Sequence, residues 1–165
     1  MKTLERLAKI FAITGGLLMV FITLMTVASV IGRDTIGKAI TGDFELSGAA
    51  CGAAIALFLP WCQFKRGNII VDFFTAKASE QTQSALDRIG ALILAVVMAV
   101  LTWRTTLGGI SAYQSNSGTM MLGFPEWIVY SAIVPGLALT CAIALAQALH
   151  GFAADTQETN PELAL

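Results

Sequence analysis

The stretch from Ile10 to Gly32, IFAITGGLLMVFITLMTVASVIG, decides the fold: it runs for 23 residues without an Asp, Glu, Lys or Arg. A helix rises about 1.5 Å per residue, so about 20 apolar residues cross a hydrocarbon core of roughly 30 Å. Lipid offers the backbone no hydrogen-bond partners, so a run of this length must be helical. Two further runs behave alike, Leu46–Phe64 with 19 uncharged residues and Trp127–Leu149 with 23. A fourth, Ile89–Ile110, is interrupted only by Arg104. Overall 56% of the residues are hydrophobic and only 13% are charged, against about 25% charged in an ordinary soluble domain. Helices of a soluble four-helix core would each keep a polar face, and these do not. The expectation is an all-α, polytopic membrane protein with spans at about 10–32, 45–64, 88–111 and 126–149.

Working outward from the first span, Lys2, Arg6 and Lys9 resemble the basic region of a signal peptide. The apolar stretch is far longer than the core of such a peptide, and it ends in Gly32-Arg33-Asp34 without a small-residue cleavage site. It reads as a retained anchor. The residues before it alternate as an amphipathic lead-in, Leu4, Leu7, Ile10 and Phe11 against Lys2, Glu5, Arg6 and Lys9, expected at the membrane surface. Basic residues in short loops set orientation. With the N-terminus inside, the cytoplasmic segments hold Lys2, Arg6, Lys9, Lys65, Arg66, Lys77 and Arg88, and the outer segments only Arg33, Lys38 and Arg104. Both termini are therefore expected in the cytoplasm. Residues 1–152 form one membrane domain, and 153–165, with Asp155, Glu158 and Glu162, read as an acidic, disordered tail.

The second loop is the most distinctive. Asn68-Ile69-Ile70-Val71-Asp72-Phe73-Phe74 is apolar but too short to span, and Lys65, Arg66 and Lys77 flank it. The spacing predicts a short interfacial amphipathic helix between helices 2 and 3, lying on the inner membrane surface. Ser79 reads as an N-cap for a long third helix that enters lipid beyond Arg88. Pro60 is expected to bend the inner end of helix 2. Pro125-Glu126-Trp127 opens helix 4, with the proline in its first turn and the indole in the headgroup belt.

Residues able to do chemistry are few. Cys51, Cys62 and Cys141 form no Cys-x-x-Cys pair, and His150 is the single histidine, which excludes a thiol oxidase and a haem bundle with paired histidines. No Asp or Glu stands mid-membrane, where a proton-coupled exporter carries one. No cofactor, metal or nucleic-acid partner is expected, and the chain is not read as an enzyme. What remains is a set of charges at the outer boundary: Arg33 closing helix 1, Glu45 opening helix 2, Arg104 near the outer end of helix 3 and Glu126 opening helix 4. They read either as ordinary interfacial anchors or as a neutralising ion-paired network, with Glu45 and Glu126 as the partners available to Arg104. Small residues form a second pattern. Gly48 and Gly52 fall one turn apart on helix 2, and Ala132, Gly136, Thr140, Ala144 and Ala148 recur every four residues on helix 4. Such stripes let helices approach closely, either within the chain or against another membrane protein.

Taken in order, these features resemble a known family. Val27…Arg33 closes helix 1, Glu45 opens helix 2, Arg66-Gly67-Asn68-Ile69-Ile70-Val71-Asp72 follows it, and Pro125-Glu126-Trp127…Tyr130 opens helix 4. The chain is similar over about residues 5–150 to the small membrane subunit of tripartite ATP-independent periplasmic (TRAP) transporters, the DctQ-like family. Asn68 stands where that family usually has histidine. The resemblance implies a scaffold subunit in the bacterial inner membrane, bound to a large multi-helix permease and docking a periplasmic substrate-binding protein. It also implies sodium-driven uptake of a carboxylate-type solute. A small oligomeric channel or exporter, and a membrane assembly factor unrelated to transport, are the alternatives.

Overall fold

A computed structural model describes residues 2–65 and 80–150. Four α-helices make up most of them: α1 Lys2–Ile36, α2 Asp43–Phe64, α3 Glu80–Gln114 and α4 Glu126–His150. Each contains a stretch long and apolar enough to cross a membrane. The expected interfacial helix around 68–74, with Asp72, lies outside the described residues, as do Ser79 and the acidic tail.

The basic lead-in is not a separate element. It continues into the span as one helix of 35 residues, because no proline or glycine interrupts the chain before Gly15. Within α1 the hydroxyls of Thr14 and Thr23 donate to the carbonyls of Ile10 (3.0 Å) and Met19 (2.8 Å), folding back onto their own helix. The third helix is likewise long, as the sequence requires, and Pro60 falls within α2.

Turns between α1 and α2 are built on two left-handed glycines, Gly37 (φ 70°) and Gly42 (φ 78°). The buried Ser29 of α1 holds this turn from beneath. Its hydroxyl accepts from the Ile40 N–H at 3.2 Å and donates to the Asp43 carboxylate, whose other oxygen accepts the Phe44 N–H at 2.7 Å.

The helices stand side by side in the order α1, α2, α4, α3, with α2 and α4 central. Each seam is seated at a glycine. At Gly15 of α1, an added Cβ would lie 3.2 Å from the Ala54 carbonyl oxygen of α2. At Gly136 of α4, it would lie 2.3 Å from the Ala56 carbonyl oxygen of α2. At Gly109 of α3, it would lie 2.9 Å from Cβ of Tyr130 on α4. The core is correspondingly small-grained: Ala53, Ala54, Ala56 and Pro60 of α2, Thr140, Ile143 and Ala144 of α4, and Ala91 and Ala95 of α3. Backbone proximity and dispersion hold such a core, since lipid tails remove the hydrophobic incentive to associate. The flanking helices keep wide apolar faces outward, among them Leu17, Phe21 and Leu24 of α1 and Ile93, Val96 and Val100 of α3.

Candidate functional site

The end of the molecule that carries the α1–α2 and α3–α4 connections is organised by one carboxylate. Glu45 lies in the first turn of α2, where N–H groups and the helix dipole favour a negative charge. Its Oε1 accepts the backbone N–H of Met121 at 2.9 Å and its Oε2 that of Leu122 at 3.3 Å. Both donors belong to the loop joining α3 to α4, so the contact ties together residues 76 and 77 positions apart. The loop is also internally bonded. The Thr119 N–H donates to the Phe124 carbonyl (3.0 Å), the Gly123 N–H to the Thr119 carbonyl (2.9 Å), and the Phe124 N–H to the Thr119 hydroxyl (3.2 Å). Gly123 supplies a positive φ of 62°. Leu122 then packs over Gly42, where a Cβ would meet the leucine Cγ at 2.3 Å. A polar clamp and an apolar latch thus hold the same loop.

The other outer charges are placed differently. Glu126 opens α4 and accepts the Ser117 hydroxyl at 3.3 Å. Arg33 and Arg104 are solvent- or lipid-facing. Among the described residues, the two glutamates are therefore held by O–H and N–H donors, and Arg104 gains neither as an ion-pair partner. The sequence leaves two readings for these charges, interfacial anchors or an ion-paired network, and among the described residues no ion pair joins them; main-chain N–H donors hold Glu45 instead.

The two small-residue stripes also part company. Gly136, Thr140 and Ala144 are buried, and the stripe on α4 packs inside the chain, against α2. On α2, by contrast, a Cβ at Gly48 or Gly52 would meet nothing within 4 Å. They share a face with Phe44, Ile55 and Phe58, all exposed. The buried side of α2 already holds α1 and α4, so this glycine face is open.

At the opposite end, two amides join the central helices. Gln63 of α2 donates through Nε2 to Oε1 of Gln147 on α4 at 2.7 Å, and Gln147 donates back to the Gln63 carbonyl at 3.1 Å. Both side chains are buried. Nearby, the Lys65 ammonium lies 5.5 Å from the centre of the Trp61 ring. Reading the spans by charge alone passed over Gln63, Gln147, Ser29 and Asp43. A glutamine inside an otherwise apolar run was the available signal, because an amide at that depth requires a partner. Among the described residues every buried side-chain nitrogen or oxygen has a hydrogen-bond partner. The interior polar groups serve the fold.

Glycine seams and a buried amide pair thus fasten four helices long and apolar enough to cross a membrane. The family model described as "Tripartite ATP-independent periplasmic transporters, DctQ component" matches residues 22–154. The chain belongs to that family. It is a multi-pass, non-enzymatic subunit of a TRAP transporter, a kind typically found in the inner membrane, and its family implies a DctM permease and a DctP binding protein as the other components. No curated protein and no solved structure matches the chain significantly.

Proposed function

We propose that this chain is the scaffold of a sodium-driven, binding-protein-dependent transporter taking up a carboxylate-type solute, and that the open face of α2 seats the large permease. The observation that carries the docking surface is the vacancy at Gly48 and Gly52: two glycines one turn apart on a central helix, with room at both Cβ positions. Wherever helices of this chain meet, a glycine admits the neighbour. A helix of the permease laid along Phe44, Gly48, Gly52 and Ile55 would approach in the same way. Both termini lie in the cytoplasm on this reading, because seven of the ten basic residues are then inside. Arg104, exposed near the outer end of α3, finds its counter-charge on the permease or in the headgroups.

The test is co-purification of the untagged permease with the tagged chain from membranes. Gly52→Leu should abolish recovery of the permease, while Leu92→Ala on the outward face of α3 should leave it intact. Recovery unchanged by Gly52→Leu and by Gly48→Leu would move the interface elsewhere. Uptake by the complete transporter in proteoliposomes, with and without an inward sodium gradient, tests the coupling.

A further inference from the structure

Arg104 breaks the apolar surface of α3 well inside the helix. It lies ten residues before the last residue of α3, Gln114, about 15 Å down the axis. The charge-free run below it, residues 89–103, has 15 residues and rises about 22 Å, short of the roughly 30 Å of a hydrocarbon core. The corresponding run on α1 has 23. The two helices are equally long, 35 residues each, and stand at opposite edges of the row. One edge of the molecule is therefore apolar over a smaller height than the other.

The faces of α3 decide what meets the guanidinium. One side of the helix packs on α4, with the Ala95 carbonyl accepting from the Cys141 thiol at 3.3 Å and Gly109 against Tyr130. Val96 and Val100 look outward, 58% and 57% exposed. Trp103 and Arg104 follow Val100 by three and four residues, so both border that outward face. Trp103 is 70% exposed and Arg104 is exposed beside it. Among the described residues no carboxylate pairs with Arg104, since Glu45 and Glu126 accept from N–H and O–H groups of the α3–α4 connection. An arginine on an apolar face within a span turns to an anion or to water, and an exposed indole at the same depth belongs to the headgroup level.

We propose that Arg104 and Trp103 form a binding site for the phosphate of a membrane phospholipid, whose acyl chains lie along Val96 and Val100 and whose headgroup is drawn toward the bilayer centre at the α3 edge. The proposal deepens the reading above and rests on it, because seating the permease on α2 leaves the outward face of α3 to lipid. The planar guanidinium offers paired N–H donors to two phosphate oxygens. Snorkelling and local thinning are the ways a bilayer accommodates an arginine at this depth, and the short apolar run of α3 matches a thinned leaflet. A permease carboxylate would instead need that protein at this edge, away from the open glycines of α2.

The experiment is photolabelling of the complex of this chain with its permease, held in nanodiscs of a glucosyl diacylglycerol, which has no phosphate. A minor fraction of the lipid is phosphatidylglycerol with a diazirine on its headgroup, and mass mapping locates the label along α3. The wild-type complex should be labelled around residues 103–107. Arg104→Ala should cut that label about tenfold, the scale of losing one charge-assisted hydrogen bond, with permease recovery unchanged. Arg104→Lys should keep an intermediate share, and Arg33→Ala, at the end of α1, should change nothing. Equal labelling of wild type and Arg104→Ala overturns the proposal, as does equal labelling by a diazirine glucoside without phosphate. Loss of the permease in Arg104→Ala overturns it in favour of a carboxylate on that protein. A wild-type chain that recovers no permease overturns the transporter reading beneath it, a result seen before any light is applied.

Discussion

Single residues here act through the backbone of distant segments more than through one another. Gly42 shows it: its φ of 78° belongs to the left-handed region, and Leu122 occupies the space a side chain would take. Gly42→Ala should therefore lower stability by about 1–3 kcal/mol through backbone strain and loss of the latch, seen as a reduced Tm of the purified subunit. The Gln63–Gln147 pair acts similarly at the other end. Gln147→Leu should cost about 1 kcal/mol, the usual size of an interhelical amide bond in a membrane. Adding Gln63→Leu should cost less than the sum of the two single changes, since the partners share one interaction; a double-mutant cycle in thermal unfolding measures it. Arg104 was placed by depth in the sequence, yet pairing does not follow from depth. The donors that satisfy Glu45 are main-chain N–H groups of Met121 and Leu122, and a main-chain donor leaves no mark in a string of side chains. Arg104→Ala should accordingly leave the Tm of the isolated chain unchanged, while any loss it causes should surface only in the assembled transporter.

Helices were the most legible level, and their contacts the least. Apolar runs with few or no charges marked all four helices because hydrocarbon tolerates little else, and α4 begins at Glu126, just after Pro125. The lead-in misled because amphipathic pattern shows which side of a helix meets lipid, not whether the helix pauses before it dives. The stripe on α4 was equally plain at intervals of four, but a stripe encodes close approach without naming the neighbour. Only the structure sends it to Ala56 of α2 and leaves Gly48 and Gly52 vacant. This division has a measurable consequence. At Gly136 even one methyl would stand 2.3 Å from a backbone oxygen, so Gly136→Ala should force α2 and α4 apart and destabilise the chain by about 1–3 kcal/mol. Gly52→Ala should leave the purified chain as stable as before, its Cβ entering open space. Thermal unfolding of the two variants side by side reads the contrast, and equal losses would mean that the α2 face is already occupied within the chain.

At the scale of the whole molecule, the helices stand in a row with α2 and α4 central. Among the described residues they pack chiefly as α1 on α2, α2 on α4 and α4 on α3, with α1 touching α4 only slightly. The polar groups that do lie inside are already spent on one another, Gln63 with Gln147 and the Thr140 hydroxyl with the Gly136 carbonyl at 2.8 Å. No carboxylate stands in the middle of any span, and moving a sodium ion through lipid demands oxygen ligands that replace its water. Reconstituted alone in liposomes, the chain should thus admit no carboxylate solute above the leak of empty vesicles, whatever sodium gradient is imposed. Adding the permease and the binding protein should restore uptake, and omitting this chain from the full set should abolish it, because the permease then lacks the helix seat on α2. Sodium-dependent uptake by the purified chain alone would sink the scaffold reading, and full uptake by the permease without it would reduce the chain to a passenger.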